Sequence, residues 1–224
     1  MVPTKTPGLL KLLLNKILPS PFNIVPMMID INLLLNSGGI RRKIEKTQTV
    51  FFQGEAACFY YQVERGRVKM ISSGEGGKEF LQGIYTDGET FGELSLFDEG
   101  DYPASAVAEE DTTLIRLSKE SFLQVLKGHP AIHFSFTRLL SERLRFNSML
   151  LKELCCYAAE HQIFALIRHF KKLSKFPVDL TYKVDLTRQQ IADMTGLRVE
   201  TVIRAIRSLS VKGDLLLTKG KVYA

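Results

Sequence analysis

Residues 186–209 read LTRQQIADMTGLRVETVIRAIRSL and predict two short helices joined by a glycine turn. Thr187 begins the first helix, and Gln190, three residues later, completes a capping box with it. Ala192 is small where a second helix has to cross the first closely. Gly196 favours the left-handed backbone conformation that ends a helix and redirects the chain. This stretch therefore predicts a helix-turn-helix.

The second helix of this pair has an apolar face and a polar face. The apolar residues recur at helical spacing, at Leu197, Val202, Ile206 and Leu209. The polar face carries Arg198, Glu200, Thr201, Arg204 and Arg207. These side chains can reach the edges of DNA bases, although any amphipathic helix pair also has a charged, solvated face.

The positive charge of the chain is concentrated at its C-terminal end. Residues 157–224 contain twelve basic and six acidic residues, so they carry the whole formal net charge of +6, and residues 1–156 are balanced. A neutral body with a basic end is typical of a protein that binds a polyanion, because phosphate contacts supply most of the non-specific affinity for nucleic acid.

A short hairpin is predicted after the second helix. Residues 215–217 form one strand, residues 219–221 a tight turn, and Val222 and Tyr223 the return strand. Such a hairpin would be the wing of a winged helix. Lys219 and Lys221 would lie at its tip, where they would meet backbone phosphate.

From Ile40 to Leu117 the sequence changes to short β-rich runs separated by glycines, which predicts a β-roll or jelly roll. The runs are TVFFQ, CFYYQV, RVKMIS, EFLQGIY, SAVAE and TTLIRL. One segment breaks the pattern: a strand runs into Gly92 and Glu93, and a short helical turn follows. The free backbone N–H groups of that turn suit an anion or a sugar. A plain barrel with a helical corner fits this segment equally well.

A metal-dependent jelly-roll enzyme needs histidines inside the barrel, and all four histidines of the chain follow the β-rich region. The three cysteines have no C-x-x-C spacing, so neither a zinc site nor a disulfide is expected, and a reducing cytoplasm is favoured. Cys58 stands alone in a strand and is expected in the core. We therefore expect no metal and no cofactor.

One long helix is predicted between the β-rich region and the helix-turn-helix, because residues 131–157 lack glycine and proline. A stripe of residues follows coiled-coil spacing at Leu140, Leu144, Asn147, Leu151 and Leu154. This seam favours a homodimer over a helix packed only on its own barrel. Two-fold symmetry would then place two recognition helices one DNA turn apart on a palindromic site.

The N-terminal residues 1–39 contain apolar runs, but lysines, an aspartate and prolines interrupt them. Each run is shorter than the 18 or more residues that a membrane span needs, and no signal-peptide pattern is present. We expect short helices here that pack on the next domain, in a cytoplasmic protein without a membrane partner.

In this order, the segments resemble the family of the cyclic-AMP receptor protein and the fumarate and nitrate reduction regulator. The resemblance covers residues 40–224 and rests on FFQGEAACFYYQVERGRVKMI, GETFGELSLF, SERLRFNS and LTRQQIADMTGLRVETVIRAI. It implies an α+β protein with a cyclic-nucleotide-binding-like β-roll sensor, which together with the N-terminal helices takes up residues 1–128, a dimerisation helix in 129–156 and a winged helix-turn-helix in 157–224. It also implies a transcription regulator, not an enzyme, which binds promoter DNA and recruits or blocks RNA polymerase.

The resemblance assigns a set of DNA contacts. The V-E-T-x-x-R of residues 199–204 is similar to the recognition motif of the oxygen-responsive branch, in which Glu200 would accept from cytosine and Arg204 would donate to guanine. Ile203 replaces a serine of that branch, which leaves one base pair undefined. The expected DNA-binding residues are Thr187, Arg188, Arg198, Val199, Glu200, Thr201, Arg204, Arg207, Lys219 and Lys221.

The resemblance also implies an effector pocket, formed by Gly92, Glu93, Leu94, Ala104, Ser105, Arg143, Asn147 and Ser148. Pro103 and Ala104 replace the Arg-Ser pair that binds the phosphate in the cyclic-AMP branch, so cyclic AMP is not the expected signal. No cysteine precedes Cys58, which excludes the iron–sulfur cluster of the oxygen-responsive branch. The effector is thus an unidentified small molecule, if there is one. A small-molecule-binding signalling module without a DNA function is the alternative.

Overall fold

The computed structural model describes residues 29–74, 77–173 and 181–224. Its helices are α1 (Ile31–Asn36), α2 (Lys119–Gly128), α3 (Pro130–Cys156), α4 (Ala159–Leu173), α5 (Arg188–Thr195) and α6 (Val199–Lys212). The first strands are β1 (Ile40–Ile44), β2 (Thr49–Phe51), β3 (Phe59–Arg65), β4 (Arg67–Ser73) and β5 (Glu79–Thr86). The remaining strands are β6 (Thr90–Phe91), β7 (Ser105–Ala108), β8 (Thr112–Ser118), β9 (Leu216–Thr218) and β10 (Lys221–Tyr223).

The predicted β-roll is confirmed. Two antiparallel four-stranded sheets, in the orders β1-β8-β3-β6 and β2-β7-β4-β5, face each other. All six predicted runs form strands, and β1 is an additional strand that the sequence pattern did not single out. Aromatic rings fill the space between the sheets; the centroids of Phe51 and Tyr102, for example, lie 3.7 Å apart. A single turn of 3-10 helix, Leu94–Leu96, follows β6 at the predicted position.

The predicted N-terminal helices fall partly on residues 1–28, which lie outside the described residues. Within the described chain, α1 is one such helix. Asp30 caps it by accepting a hydrogen bond from the backbone N–H of Leu33 at 3.0 Å. Leu34 is fully buried in the β-roll core, so α1 covers one end of the roll as expected.

The long helix is also confirmed, and it belongs to two hydrophobic cores. Near its start, Phe136 and Leu139 are buried with the β-roll. Two to three turns later, Phe146 and Leu150 are buried in a second core with α4, α5 and α6. The helix α3 therefore connects the two halves of the chain by packing, not only by covalent linkage.

The winged helix-turn-helix forms as the sequence predicts. The capping box is present, with the Thr187 hydroxyl accepting from the N–H of Gln190 and the Gln190 side chain accepting from the N–H of Thr187. Gly196 has a φ of 67° and ends α5. In the wing, the first strand lies one residue later than predicted and the return strand begins one residue earlier, so Lys221 lies in β10 opposite Thr218 instead of in the turn.

The second core extends into the β-roll, which the sequence pattern did not indicate. Leu81 and Ile84 of β5 are buried in it. A β-bulge explains their common orientation: β4 and β5 change register between Met70 and Ile71, so Gln82 is an extra residue in β5. Residues 81 and 84, three apart, then point to the same side of the sheet.

Polar contacts reinforce the junction between the roll and the helix-turn-helix. The side chain of Arg67 donates from Nε to Glu109 at 2.7 Å and approaches Asp185 at 3.5 Å. The other oxygen of Glu109 accepts from Nε2 of Gln190 at 3.2 Å. The side chain that caps α5 is thus also bonded to the roll.

The expectation for Cys58 was wrong. Its side chain is exposed, because inward and outward residues alternate as the chain enters β3 and the neighbouring Ala57 takes the buried position. Within the described ranges, no helix combines the length and the apolar composition that crossing a lipid bilayer requires.

Two glycines with positive φ give a matched test of packing in the roll. At Gly66 (φ 114°), an added Cβ would lie 2.8 Å from the Cα of Thr112, whereas at Gly54 (φ 82°) it would meet nothing within 4 Å. Gly54→Ala should therefore cost about 1–2 kcal/mol from backbone strain alone. Gly66→Ala should cost about 1–3 kcal/mol more, because the clash adds to the strain. Urea unfolding measures both variants, and equal losses would contradict the packing at Gly66.

Candidate functional site

A cavity of about 500 Å³ lies between the β-roll and the long helix. Most of its walls come from β5, from the turn between Gly92 and Ser95, and from α3. The β5 residues are Phe80, Gln82 and Tyr85. Gly92 has a φ of 74°, and a Cβ there would lie 3.0 Å from the Phe51 ring. A glycine is therefore required where the chain passes between the aromatic core and the cavity.

The charged groups of the cavity form one buried ion pair. Glu93 is fully buried, and Nη1 of Arg143 donates to its Oε1. Nη2 of Arg143 donates to the backbone oxygen of Thr90 at 2.8 Å, and the guanidinium lies 5.3 Å from the centre of the Tyr85 ring. The second carboxylate oxygen of Glu93 accepts from the Thr90 hydroxyl at 3.2 Å. The arginine and the carboxylate are thus already paired inside the protein.

The pKa of Arg143 reflects this pairing. Burial disfavours the charged guanidinium, but the nearby Glu93, Tyr85 and Glu89 together outweigh burial and raise the pKa of Arg143 above its usual value. Burial raises the pKa of Tyr85 to about 12, even though Arg143 acts in the opposite direction. Arg143 therefore stays charged and Tyr85 stays neutral at any physiological pH.

The structure brings together five of the eight residues expected at the effector pocket, namely Gly92, Glu93, Leu94, Arg143 and Asn147. The other three do not line the cavity. Ala104 is fully buried in the core of the roll, while the Ser105 hydroxyl turns away and accepts from the N–H of Gln53 at 2.9 Å. The Ser148 hydroxyl donates to the Leu144 carbonyl at 2.9 Å, within its own helix.

The apolar wall of the cavity is what the sequence reasoning missed. Pro103 takes the lining position next to Ala104, and Phe146, Leu150 and Leu154 of α3 complete the wall. The spacing of these helix residues, four apart, was the available signal. The sequence pattern predicts only Leu154 of these three, as part of the dimer seam, because nothing in the sequence identifies the surface that faces Phe146 and Leu150.

The second candidate site is the exposed face of the helix-turn-helix. Arg198, Glu200, Arg204 and Arg207 are exposed on or just before α6, whereas Val202, Ile206 and Leu209 are buried beneath them. Val199 and Thr201 are half-buried, and Val199 packs against the second core. Polar side chains are therefore presented to solvent by a helix whose other face is fixed in the core.

Two of the expected DNA-binding residues serve the structure of the motif itself. The Thr187 hydroxyl is occupied by the capping box. Nη2 of Arg188 donates to the backbone oxygen of Gly220 at 2.9 Å, and its partial burial lowers the pKa of Arg188. Arg188 thus ties the first helix to the turn of the wing. Lys219 and Lys221 are exposed beside it.

The expected dimer seam lies on the outer side of α3. Leu144 and Leu151 are 67% and 62% exposed, and Asn147 between them is also exposed. Leu140 and Leu154, at the two ends of the seam, are half-buried. Large apolar side chains with this exposure form a stripe that nothing in the described part of a single chain covers.

A β-roll with a cavity, joined by a long helix to a winged helix-turn-helix, defines the class of transcription regulators that combine a sensor-like domain with a DNA-binding-like domain. Comparison with known proteins agrees with this assignment. Residues 41–129 match the cyclic nucleotide-binding domain family. The cyclic AMP receptor protein of Thermus thermophilus is 31% identical over 183 residues, which cover 81% of this chain and 82% of that protein. The chain belongs to the Crp/Fnr family of transcription regulators.

Solved structures show the same architecture. The catabolite activator protein of Thermus thermophilus is 29% identical, with a TM-score of 0.52 over 91% of this chain and 92% of that one. The c-di-GMP responsive global regulator CLP of Xanthomonas campestris has a TM-score of 0.68 at 23% identity, over 86% of this chain and 98% of that one. The second likeness concerns the fold alone.

The buried ion pair gives a prediction about stability. Arg143→Met should cost about 3–5 kcal/mol of unfolding free energy, because it leaves the Glu93 carboxylate buried without its partner. Adding Glu93→Gln should recover much of that loss. The control is Arg138→Met, since Arg138 pairs with Glu142 on the surface and its side chain is 70% exposed; the loss there should stay below about 1 kcal/mol. Equal losses for the two arginine variants in urea unfolding would contradict the assignment.

Proposed function

We propose that the protein is a sequence-specific DNA-binding regulator that acts as a homodimer on a palindromic promoter site. The observation that carries the proposal is the exposed polar face of α6 with the wing lysines beside it. This face holds Arg198, Glu200, Arg204 and Arg207, and none of their side chains bonds to another residue in the part of the chain that the structure describes. Their donors and acceptors are available to an external partner.

Direct base readout is assigned to Glu200 and Arg204. The two residues are four apart on α6, so they lie one turn above each other on the same face. A carboxylate accepts from the amino group of cytosine, and a guanidinium donates to O6 and N7 of guanine. Lys219 and Lys221 in the wing serve instead as phosphate contacts, which set affinity without reading sequence.

The homodimer supports this function in two ways. Pairing of the exposed seam on α3 removes a large apolar stripe from water. It also relates two copies of α6 by a two-fold axis, which suits two half-sites about 34 Å apart. We propose the division into residues 1–128, 129–156 and 157–224 on the same grounds, with the middle segment holding the dimer together.

The cavity between the roll and α3 is proposed as the effector site. It lies against the helix that would dimerise, and Asn147, Leu151 and Leu154 contribute both to the cavity and to the seam. An occupant would therefore bear directly on the dimer interface. A signalling module without a DNA function would have the same cavity, but it would leave the charged face of α6 without a role. Contact with RNA polymerase and a cytoplasmic location follow from promoter binding and are proposed with it.

The DNA contacts can be separated by mutation. Arg204→Ala should weaken specific binding by about 1–3 kcal/mol and relax the preference for one guanine. Lys219→Ala should weaken all DNA sequences alike and reduce the dependence of affinity on salt, because one phosphate contact is lost. Selection of bound fragments from random DNA, followed by titration at several salt concentrations, measures both effects. A retained guanine preference in Arg204→Ala would refute the assignment.

The dimer seam can be tested with a matched pair on the same helix. Leu144→Asp combined with Leu151→Asp should yield monomers, because like charges would be buried against each other at the interface. Phe134→Asp is the control, since Phe134 is 75% exposed but lies off the seam, and this variant should remain a dimer. Sedimentation velocity distinguishes the two states. A double variant that still sediments as a dimer would place the interface elsewhere.

A further inference from the structure

We propose that the cavity binds a neutral, largely apolar small molecule with a single hydrogen-bonding group that faces Asn147. The inference rests on the proposed effector role of the cavity and goes further by naming the chemical class of its occupant. Three properties of the cavity carry it: the apolar wall, the prior pairing of most of its polar side chains, and the lack of an unpaired cationic side chain among the described lining residues.

The apolar wall comes from both sides of the cavity. Phe80 and Pro103 contribute from the roll, and Phe146, Leu150 and Leu154 contribute from α3. A volume of about 500 Å³ is in the normal range for small-molecule sites. An apolar molecule that leaves water for this wall gains the free energy of apolar burial without disturbing any polar contact.

Most polar side chains of the lining already have partners inside the protein. The amide nitrogen of Gln82 donates to the Ser72 hydroxyl at 2.7 Å. The hydroxyl of Ser95 donates to the backbone oxygen of Asp101 at 2.8 Å. Glu93 and Arg143 are bonded to each other and to Thr90. A polar occupant would have to break these bonds in order to replace its own lost bonds to water.

Asn147 is different. It lines the cavity, its side chain is exposed, and its amide forms no hydrogen bond to any other residue that the structure describes. A side-chain amide both donates and accepts, so it can satisfy a hydroxyl or a carbonyl. Since Asn147 supplies the unpaired amide of the lining, the occupant needs only one polar group, directed at this residue.

A negatively charged occupant meets no unpaired cationic side chain among the described residues that line this cavity. Arg143, the lining residue with a cationic side chain, is held by the fully buried carboxylate of Glu93. Pro103 has neither a charge nor an N–H, and the Ser105 hydroxyl is directed away to the backbone of Gln53. The backbone N–H groups of the turn at Gly92 carry only partial charges, so burying an anion here would leave its full charge without a cationic side chain from the described residues or would strip Glu93 of its partner.

The test uses a neutral fluorescent probe, 6-propionyl-2-(dimethylamino)naphthalene, whose emission reports an apolar site, and two competitors on the same ring. We expect 2-naphthol to displace the probe at a concentration at least about tenfold lower than 2-naphthyl phosphate does, because only the phosphate brings an uncompensated charge. Cyclic AMP should not displace it. Equal competition by the two naphthyl compounds, or failure of the probe to bind, would overturn the proposal.

Two phenylalanine variants locate the probe. Phe80→Gln makes the cavity wall polar, and it should weaken the binding of probe and 2-naphthol at least about tenfold. Phe134→Gln changes an exposed phenylalanine outside the cavity and should leave binding unchanged. Equal effects of the two variants would indicate adsorption to surface apolar groups and would overturn the assignment to the cavity.

Asn147→Leu keeps the approximate size of the side chain and removes its polar atoms. It should reduce the affinity for 2-naphthol and leave the affinity for naphthalene unchanged. Equal effects on the two affinities would contradict the role of Asn147.

Gel retardation with DNA on the same preparations separates this proposal from the proposed function. If the wild-type protein does not bind DNA, the proposed DNA-binding function is refuted. If it binds DNA but 2-naphthyl phosphate displaces the probe as well as 2-naphthol does, only the proposal of a neutral ligand is refuted.

Discussion

The connection between the two halves of the chain depends on the burial of Leu81 and Ile84, through which β5 of the roll packs in the core of the winged helix. The opposite side of the same strand supplies Phe80, Gln82 and Tyr85 to the cavity. This strand therefore contributes both to a site suited to a small molecule and to the core that holds the helix-turn-helix, and Phe146 and Leu150 of α3 belong to both as well. Interiors are close-packed, so a displacement of β5 by an occupant of the cavity has to be taken up on its other side.

The buried arginine of the cavity and the exposed arginines of α6 differ in what their charges contact. Arg143 lies against the buried carboxylate of Glu93, and its charge is paired inside the protein. Arg204 and Arg207 on α6 stand in solvent without an internal partner among the described residues. The first arrangement is suited to shaping a cavity and holding it rigid, since removing either partner is costly. The second leaves the charge for an external anion. The positive net charge of the C-terminal third is therefore partly carried by side chains that are exposed and unpaired among the described residues.

Much of the architecture could be predicted because its signals are local. The capping box at Thr187 and Gln190 and the left-handed turn at Gly196 are fixed by a few neighbouring residues, and they appear as predicted. The cavity is less predictable because it depends on register. The bulge at Gln82 breaks the strict alternation of β5, so no periodicity of two could assign Leu81 to the winged-helix core. The resemblance likewise implies that Ala104 lines the pocket. In the structure the preceding residue, Pro103, lines it, and Ala104 is buried in the core of the roll.

Gln190 performs two tasks with the two ends of one amide. Its oxygen accepts from the N–H of Thr187 at 2.9 Å and closes the capping box, while its nitrogen donates to Glu109 of the roll at 3.2 Å. A glutamate at this position would retain the oxygen that caps the helix and would replace the donor with a second negative charge facing Glu109. A single atom of this side chain thus distinguishes the capping of α5 from the hydrogen bond that joins α5 to the β-roll. A substitution at this one position can change how firmly the two halves of the chain are joined while leaving the exposed face of α6 and the lining of the cavity as they are.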